Sequence, residues 1–191
     1  MELFDLYNAQ NEALHSRATR EETHRKGYWH RTVHLWLHDP EQGLLWQKRS
    51  SNKDTNPDFW DLSIAGHVSA GESLEEALAK EAYEEVGLTL DLNRIQSLGV
   101  LSQKFQDPKT GVLDAEHQYI YLLEGSWDLN NFTPQQEEVS ELRYFAIESL
   151  IQWNAEWGQR VDHSKEYHLL HSVLSAAKLS SGETPKTSIK D

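Results

Sequence analysis

The chain has no cysteine, which rules out disulfides, thiolate metal sites and cysteine nucleophiles. Positive charge is scarce: 18 Lys and Arg stand against 31 Asp and Glu, for a net charge of −13. With no basic surplus to release counterions, the balance argues against non-specific binding to nucleic acid or to an anionic membrane. Long apolar runs are missing as well, and the strongest, Tyr119 to Leu123, is far too short to span a bilayer. The opening residues, MELFDLYNAQNE, lack the basic and apolar regions of a signal peptide. No internal repeat or heptad register is present. These absences lead us to expect a soluble cytoplasmic protein with a small-molecule partner, one that could pair with itself as a homodimer.

Strand and helix signals alternate along the 191 residues, which suit one domain over residues 1–179. Short strands are predicted at 2–7 and 12–16, and Thr19 with Glu22 forms a T-x-x-E start to a helical turn. Tyr28 to Leu37 is rich in aromatic and β-branched residues and reads as a central strand, returning after the Asp39–Gly43 turn as Leu44 to Lys48. Further strands are expected within Asn93 to Phe105, at Ala115 to Glu124 after a hairpin turn at 107–111, and at Glu141 to Ala146. Helices are predicted at Glu148 to Trp153 and Ser164 to Leu179, the latter with His168, Leu169, Val173 and Ala176 as its apolar face. Residues 180–191 are polar and contain Pro and Gly, as a disordered tail does. The alternation argues for an α/β domain built on a mixed sheet.

The most informative stretch is GHVSAGESLEEALAKEAYEEVGL, residues 66 to 88. Ser73 and Glu76 form a capping box, and Gly87 stands where a helix from Leu74 to Val86 would end in a left-handed residue. At about 100° per residue, Glu81, Glu84 and Glu85 share an arc with Leu74, Ala77 and Leu78. Glu75, Glu76, Ala79, Lys80 and Tyr83 fall on the opposite side, expected to face water. Carboxylates crowded beside an apolar face repel one another and lose hydration unless a cation compensates. Oxygen ligands alone point to a hard ion, Mg²⁺ or Mn²⁺.

The same residues resemble the Nudix box, with Gly66, Glu72, Glu81, Ala82, Glu84, Glu85, Gly87 and Leu88 on its pattern and Lys80 where the family has Arg. Lys keeps the charge that pairs with the box glutamates but loses the planar fork. The resemblance implies the Nudix fold, an α/β architecture with a mixed β-sheet sandwiched between helices. It covers a core of about 28–150, flanked by a β extension over 1–27 and C-terminal helices over 148–179. It also implies a Mg²⁺- or Mn²⁺-dependent hydrolase of a nucleoside diphosphate linked to another moiety. Glu81, Glu84, Glu85 and the Gly66 carbonyl would form the metal shell.

The wider spelling WHRTVH, QKRSSNK and WDLSIAGHVSAGES is similar to the branch that contains isopentenyl-diphosphate isomerase. That likeness implies a second metal site at His24, His30, His67, Asp114 and Glu116, with the spacing from His24 to His30 off by one residue. Arg49 and Lys53 match diphosphate contacts, His67 beside the box glycine is a further substrate-side candidate, and His34 is read as structural. Ala65 stands where the isomerases carry their catalytic cysteine, and no thiol elsewhere can replace it for proton transfer across an alkene. The box also keeps acids that the isomerases lose. Hydrolysis is therefore the expected chemistry, with isomerisation or a non-catalytic metabolite-binding module as the alternatives. For the general base the candidates are Glu84, Glu85, Glu116, and Glu137 or Glu138; the sequence does not choose among them.

Overall fold

The computed structural model describes residues 1–53, 56–106, 111–150 and 163–181. In chain order these form β1 (Leu3–Tyr7), β2 (Ala13–Thr19), α1 (Arg20–Lys26), β3 (Trp29–Asp39), β4 (Gly43–Arg49), β5 (Trp60–Asp61), β6 (Ile64–His67), α2 (Leu74–Val86), β7 (Gln96–Gln106), β8 (Leu113–Glu124), β9 (Val139–Phe145) and α3 (Ser164–Ser181).

β3 organises the sheet because both of its edges are used. On one edge it runs parallel to β8 from Trp29↔Ala115 to His38↔Glu124. On the other it pairs antiparallel with β6, placing Val33 opposite Gly66 and His34 opposite Ala65. Its far end meets β4, which carries β5 and β9, while β7 lies against β8 and the β1–β2 hairpin joins at Tyr7↔Trp29. Parallel and antiparallel pairs coexist, so the sheet is mixed, as expected from the sequence.

Alternation along β3 sends its side chains to two cores. Val33, Leu35 and Leu37 pack with Ala77, Leu78, Ala82 and Val86 of α2. Trp36 packs on the other face with Trp46, Ile120 and Leu122 against Tyr167, Leu170 and Leu174 of α3. Each fully buried aliphatic side chain contributes about 1.5–3 kcal/mol relative to exposure. The sheet is thus held between α2 and α3.

α2 begins and ends where its caps dictate. The Ser73 hydroxyl accepts from the Glu76 N–H at 3.2 Å, and the Glu76 carboxylate accepts from the Ser73 N–H at 2.9 Å. Gly87 closes the helix at φ 71°. Thr19 caps α1 in the same manner, accepting from the Glu22 N–H at 3.1 Å.

Two face assignments need correction. On α3 the buried residues are Glu166, Tyr167, Leu170 and Leu174, while His168 and Ala176 are exposed. Apolar spacing alone could not see that Glu166 points inward to a polar cluster, which rotates the helix away from the expected face. On α2, Ala79 and Lys80 are half-buried rather than solvated; Lys80 folds back onto Glu72 at 3.1 Å and Glu81 at 3.3 Å. The helix expected over Glu148 to Trp153 starts at Ser149–Leu150 and then enters residues outside those described, as do most of the 107–111 turn and residues 182–191. α3 itself runs to Ser181, past the expected end at Leu179.

Candidate functional site

A cavity of about 640 Å³ opens where β6, the start of β8 and one side of α2 meet. The box residues converge on it. Gly66 lies against the Glu81 side chain so closely that a Cβ there would fall inside the carboxylate. Glu85 is buried, accepting from the Ala65 N–H at 3.1 Å and from Gln47 Nε2 at 3.2 Å. Glu84 lines the same cavity from an exposed position.

Burial, followed by repulsion from Glu81, pushes the Glu85 carboxyl up to about 8. Burial also raises Glu81 to about 7; Lys80 opposes that rise and Glu84 adds to it. Two acids raised toward or above neutral pH, side by side, form a site short of positive charge.

Beside them lies a second cluster. The His30 and His67 rings stack at 5.2 Å, and His24 stands edge-on to both. His24 Nε2 and His30 Nε2 each lie 3.8 Å from Asp114 Oδ1; His30 Nε2 and His67 Nε2 each lie 3.9 Å from Glu116 Oε1. These separations are too long for hydrogen bonds. His30 Nε2, His67 Nε2 and Asp114 Oδ1 are buried with no hydrogen-bond partner. Burial lowers all three imidazoles, leaving them neutral and able to offer a lone pair, and lifts Asp114 to about 7. Such buried polar atoms converging without partners are rare in folded proteins.

The remaining sequence-based candidates also face the cavity, but two arrive paired. Arg49 contacts Asp61 at 3.3 Å, and Lys53 forms an ion pair with Glu138. Glu116 accepts from Gln118 Nε2 at 2.8 Å. Glu137 is exposed and does not line the cavity, whereas Glu138 does.

The sequence reading missed several residues. Phe4 stacks on His30 at 5.1 Å and on His67 at 4.8 Å, backing the second cluster from the N-terminal strand. Glu2, Arg20, Asp61 and His163 line the cavity too. His34, expected to be structural, is buried and bonded to Glu166, yet it also forms part of the cavity wall. No local motif announces these positions.

Comparison with known proteins agrees with this architecture. The NUDIX domain family model matches residues 28–167. An uncharacterized Nudix hydrolase of Clostridium acetobutylicum is 34% identical over 155 residues, covering 80% of this chain and 73% of its own. An isopentenyl-diphosphate Delta-isomerase of Burkholderia multivorans is 26% identical over 133 residues, covering 70% of this chain and 72% of its own. Among solved structures, a protein of Deinococcus radiodurans superposes with a TM-score of 0.68 at 24% identity, covering 87% of this chain and 98% of that one.

Proposed function

The chain belongs to the Nudix hydrolase family, and from that premise we propose that it hydrolyses the diphosphate bond of a nucleoside diphosphate linked to a second moiety, using Mg²⁺ or Mn²⁺. The observation that carries this reading is the pair of mutually repelling acids, buried Glu85 and half-buried Glu81, beside the side-chain-free surface of Gly66, at the wall of a cavity large enough for a nucleotide-sized ligand.

The donor set fits a divalent cation. Glu81, Glu84, Glu85 and the Gly66 carbonyl offer hard oxygens suited to Mg²⁺ or Mn²⁺. The unpartnered nitrogens of His30 and His67, with His24, Asp114 and Glu116, offer a mixed set that favours softer first-row ions. Bound cations would offset the diphosphate charge and make water a stronger nucleophile at neutral pH.

The chain's own groups have separate tasks. Ala65 N–H and Gln47 fix the Glu85 carboxylate, so that it meets its ligand without reorganising. Lys53 and Arg49 orient the anionic chain, and His67 bridges the substrate side and the histidine cluster. The base is drawn from Glu84, Glu85, Glu116 and Glu138. Among them, Glu138 sits on Lys53, so an anion that engages Lys53 also frees the Glu138 carboxylate to take a proton from water.

The direct test is turnover of purified protein on nucleoside diphosphates, dinucleotides, nucleoside diphosphate sugars and coenzyme A with Mg²⁺ or Mn²⁺. Cleavage of at least one member, abolished by chelation, is expected; no cleavage of any would refute the reading. The histidine cluster also resembles that of the isomerases, but Ala65 leaves the alkene without a proton-transferring thiol. Conversion of isopentenyl diphosphate to its isomer would overturn that exclusion.

Metal stoichiometry separates the two clusters. Calorimetric titration of chelator-treated protein with Mn²⁺ should show two sites. Glu81→Gln should weaken one, and His30→Gln the other, each by at least about tenfold. Loss of both sites in either variant would mean a single shared centre.

A further inference from the structure

Thr32, His34 and Trp36 follow one another on a single face of β3, and the last two reach a carboxylate far away in sequence. His34 Nδ1 lies 3.0 Å from Glu166 Oε2, and Trp36 Nε1 donates to Oε1 at 2.9 Å. His163 Nδ1 approaches Oε2 at 3.3 Å. Glu166 is 1% exposed, so this carboxylate is held ionised by donors on every side, and its pKa is lowered despite burial. Two imidazoles and a carboxylate can also ligate a metal, but here Trp36 donates to Oε1, which His34 Nδ1 also approaches at 3.2 Å, and an indole N–H only donates. The arrangement is that of an acceptor saturated by donors.

With Nδ1 committed to Glu166, His34 has Nε2 left to offer to the cavity it lines. Its position is close to the box. His34 pairs with Ala65 in the β3–β6 ladder, one rung from Gly66, and the Ala65 N–H holds Glu85. The neighbouring cavity cations are already engaged, Arg49 with Asp61 and Lys53 with Glu138.

We propose that His34 is a substrate-contacting residue whose Nε2–H donates a hydrogen bond to a non-bridging oxygen of the bound diphosphate, with Glu166 and His163 as its positioning residues. The inference rests on the diphosphate reading above. Burial alone would lower the His34 pKa, but Glu166 lifts it to about 9, in keeping with a donor at neutral pH. Because Glu166 orients the ring before substrate arrives, the contact needs no reorganisation.

The test uses the full chain, Mg²⁺ and methylenediphosphonate, a diphosphate that water cannot cleave. His34→Gln should weaken its binding roughly ten- to hundredfold, the range for one charge-assisted hydrogen bond. For a hydrolysed substrate the variant should raise KM more than it lowers kcat. In the parent protein, the ¹⁵N resonance of His34 Nε2 should move when the probe saturates the cavity, a readout that does not depend on a variant folding. Unchanged affinity in folded His34→Gln, or an unmoved resonance at saturation, overturns the role of His34 and leaves the diphosphate reading standing. No probe binding by the parent protein overturns both.

Discussion

Glu85→Gln should lower divalent-metal-dependent turnover by about 10²- to 10³-fold, the range for loss of one charge-stabilising group. The substitution keeps the shape of the side chain and an acceptor for the Ala65 N–H, so the fold should survive it. Without metal the variant should in fact be the more stable protein at neutral pH. The Glu85 carboxyl is raised from 4.5 to about 8 by burial and then by Glu81. A raised acid contributes stability that is complete below its unfolded pKa and is lost as pH rises through its folded one. Glu85 by itself should therefore cost the chelated parent protein on the order of a few kcal/mol of stability, lost progressively between about pH 4.5 and pH 8. Glutamine removes that titration and should flatten the slope. Melting curves in chelator across this range, together with Mg²⁺-dependent kinetics, check both parts. Full metal-dependent turnover in the variant would remove Glu85 from the site.

Gly66→Ala should be nearly as damaging, for a reason of space rather than charge. Gly66 is locked in register opposite Val33, so its backbone cannot retreat, and a methyl there would overlap the Glu81 carboxylate. Glu81 would have to turn away, giving up its 3.3 Å contact with Lys80. A displacement of about 1 Å in a reacting array can cost 10²-fold, and a loss of at least that size in kcat/KM is expected. Mn²⁺ affinity at the box site should fall with it. A folded variant with parental turnover would mean that Glu81 leaves the Gly66 surface in the working enzyme.

How much of this was written in the sequence depends on the range of the forces involved. The limits of α2 were legible to the residue because Ser73, Glu76 and Gly87 act within one helical turn of its ends. The approach of the box acids to an apolar face was legible from helical period alone. The histidine cluster was reached through family resemblance, since nothing in the spacing of His24, His30, His67, Asp114 and Glu116 says that β3 and β8 run side by side. Contacts fixed only by the completed fold stayed hidden. His34 and Glu166 are 132 residues apart, and neither carries a local mark of the other. Likewise, the Lys53–Glu138 pair spans 85 residues and recasts two separate site candidates as one unit. The face of α3 was misread because the rule of apolar spacing gives no weight to an inward-facing carboxylate.

The ring of Phe4 sets a practical border on the molecule. The family match begins at residue 28, yet the lid over His30 and His67 comes from β1, and His24 belongs to α1. A protein shortened to the matched region would retain the acidic helix intact and leave the imidazoles open to bulk water. Boundaries drawn by sequence likeness would here cut through the proposed second metal site.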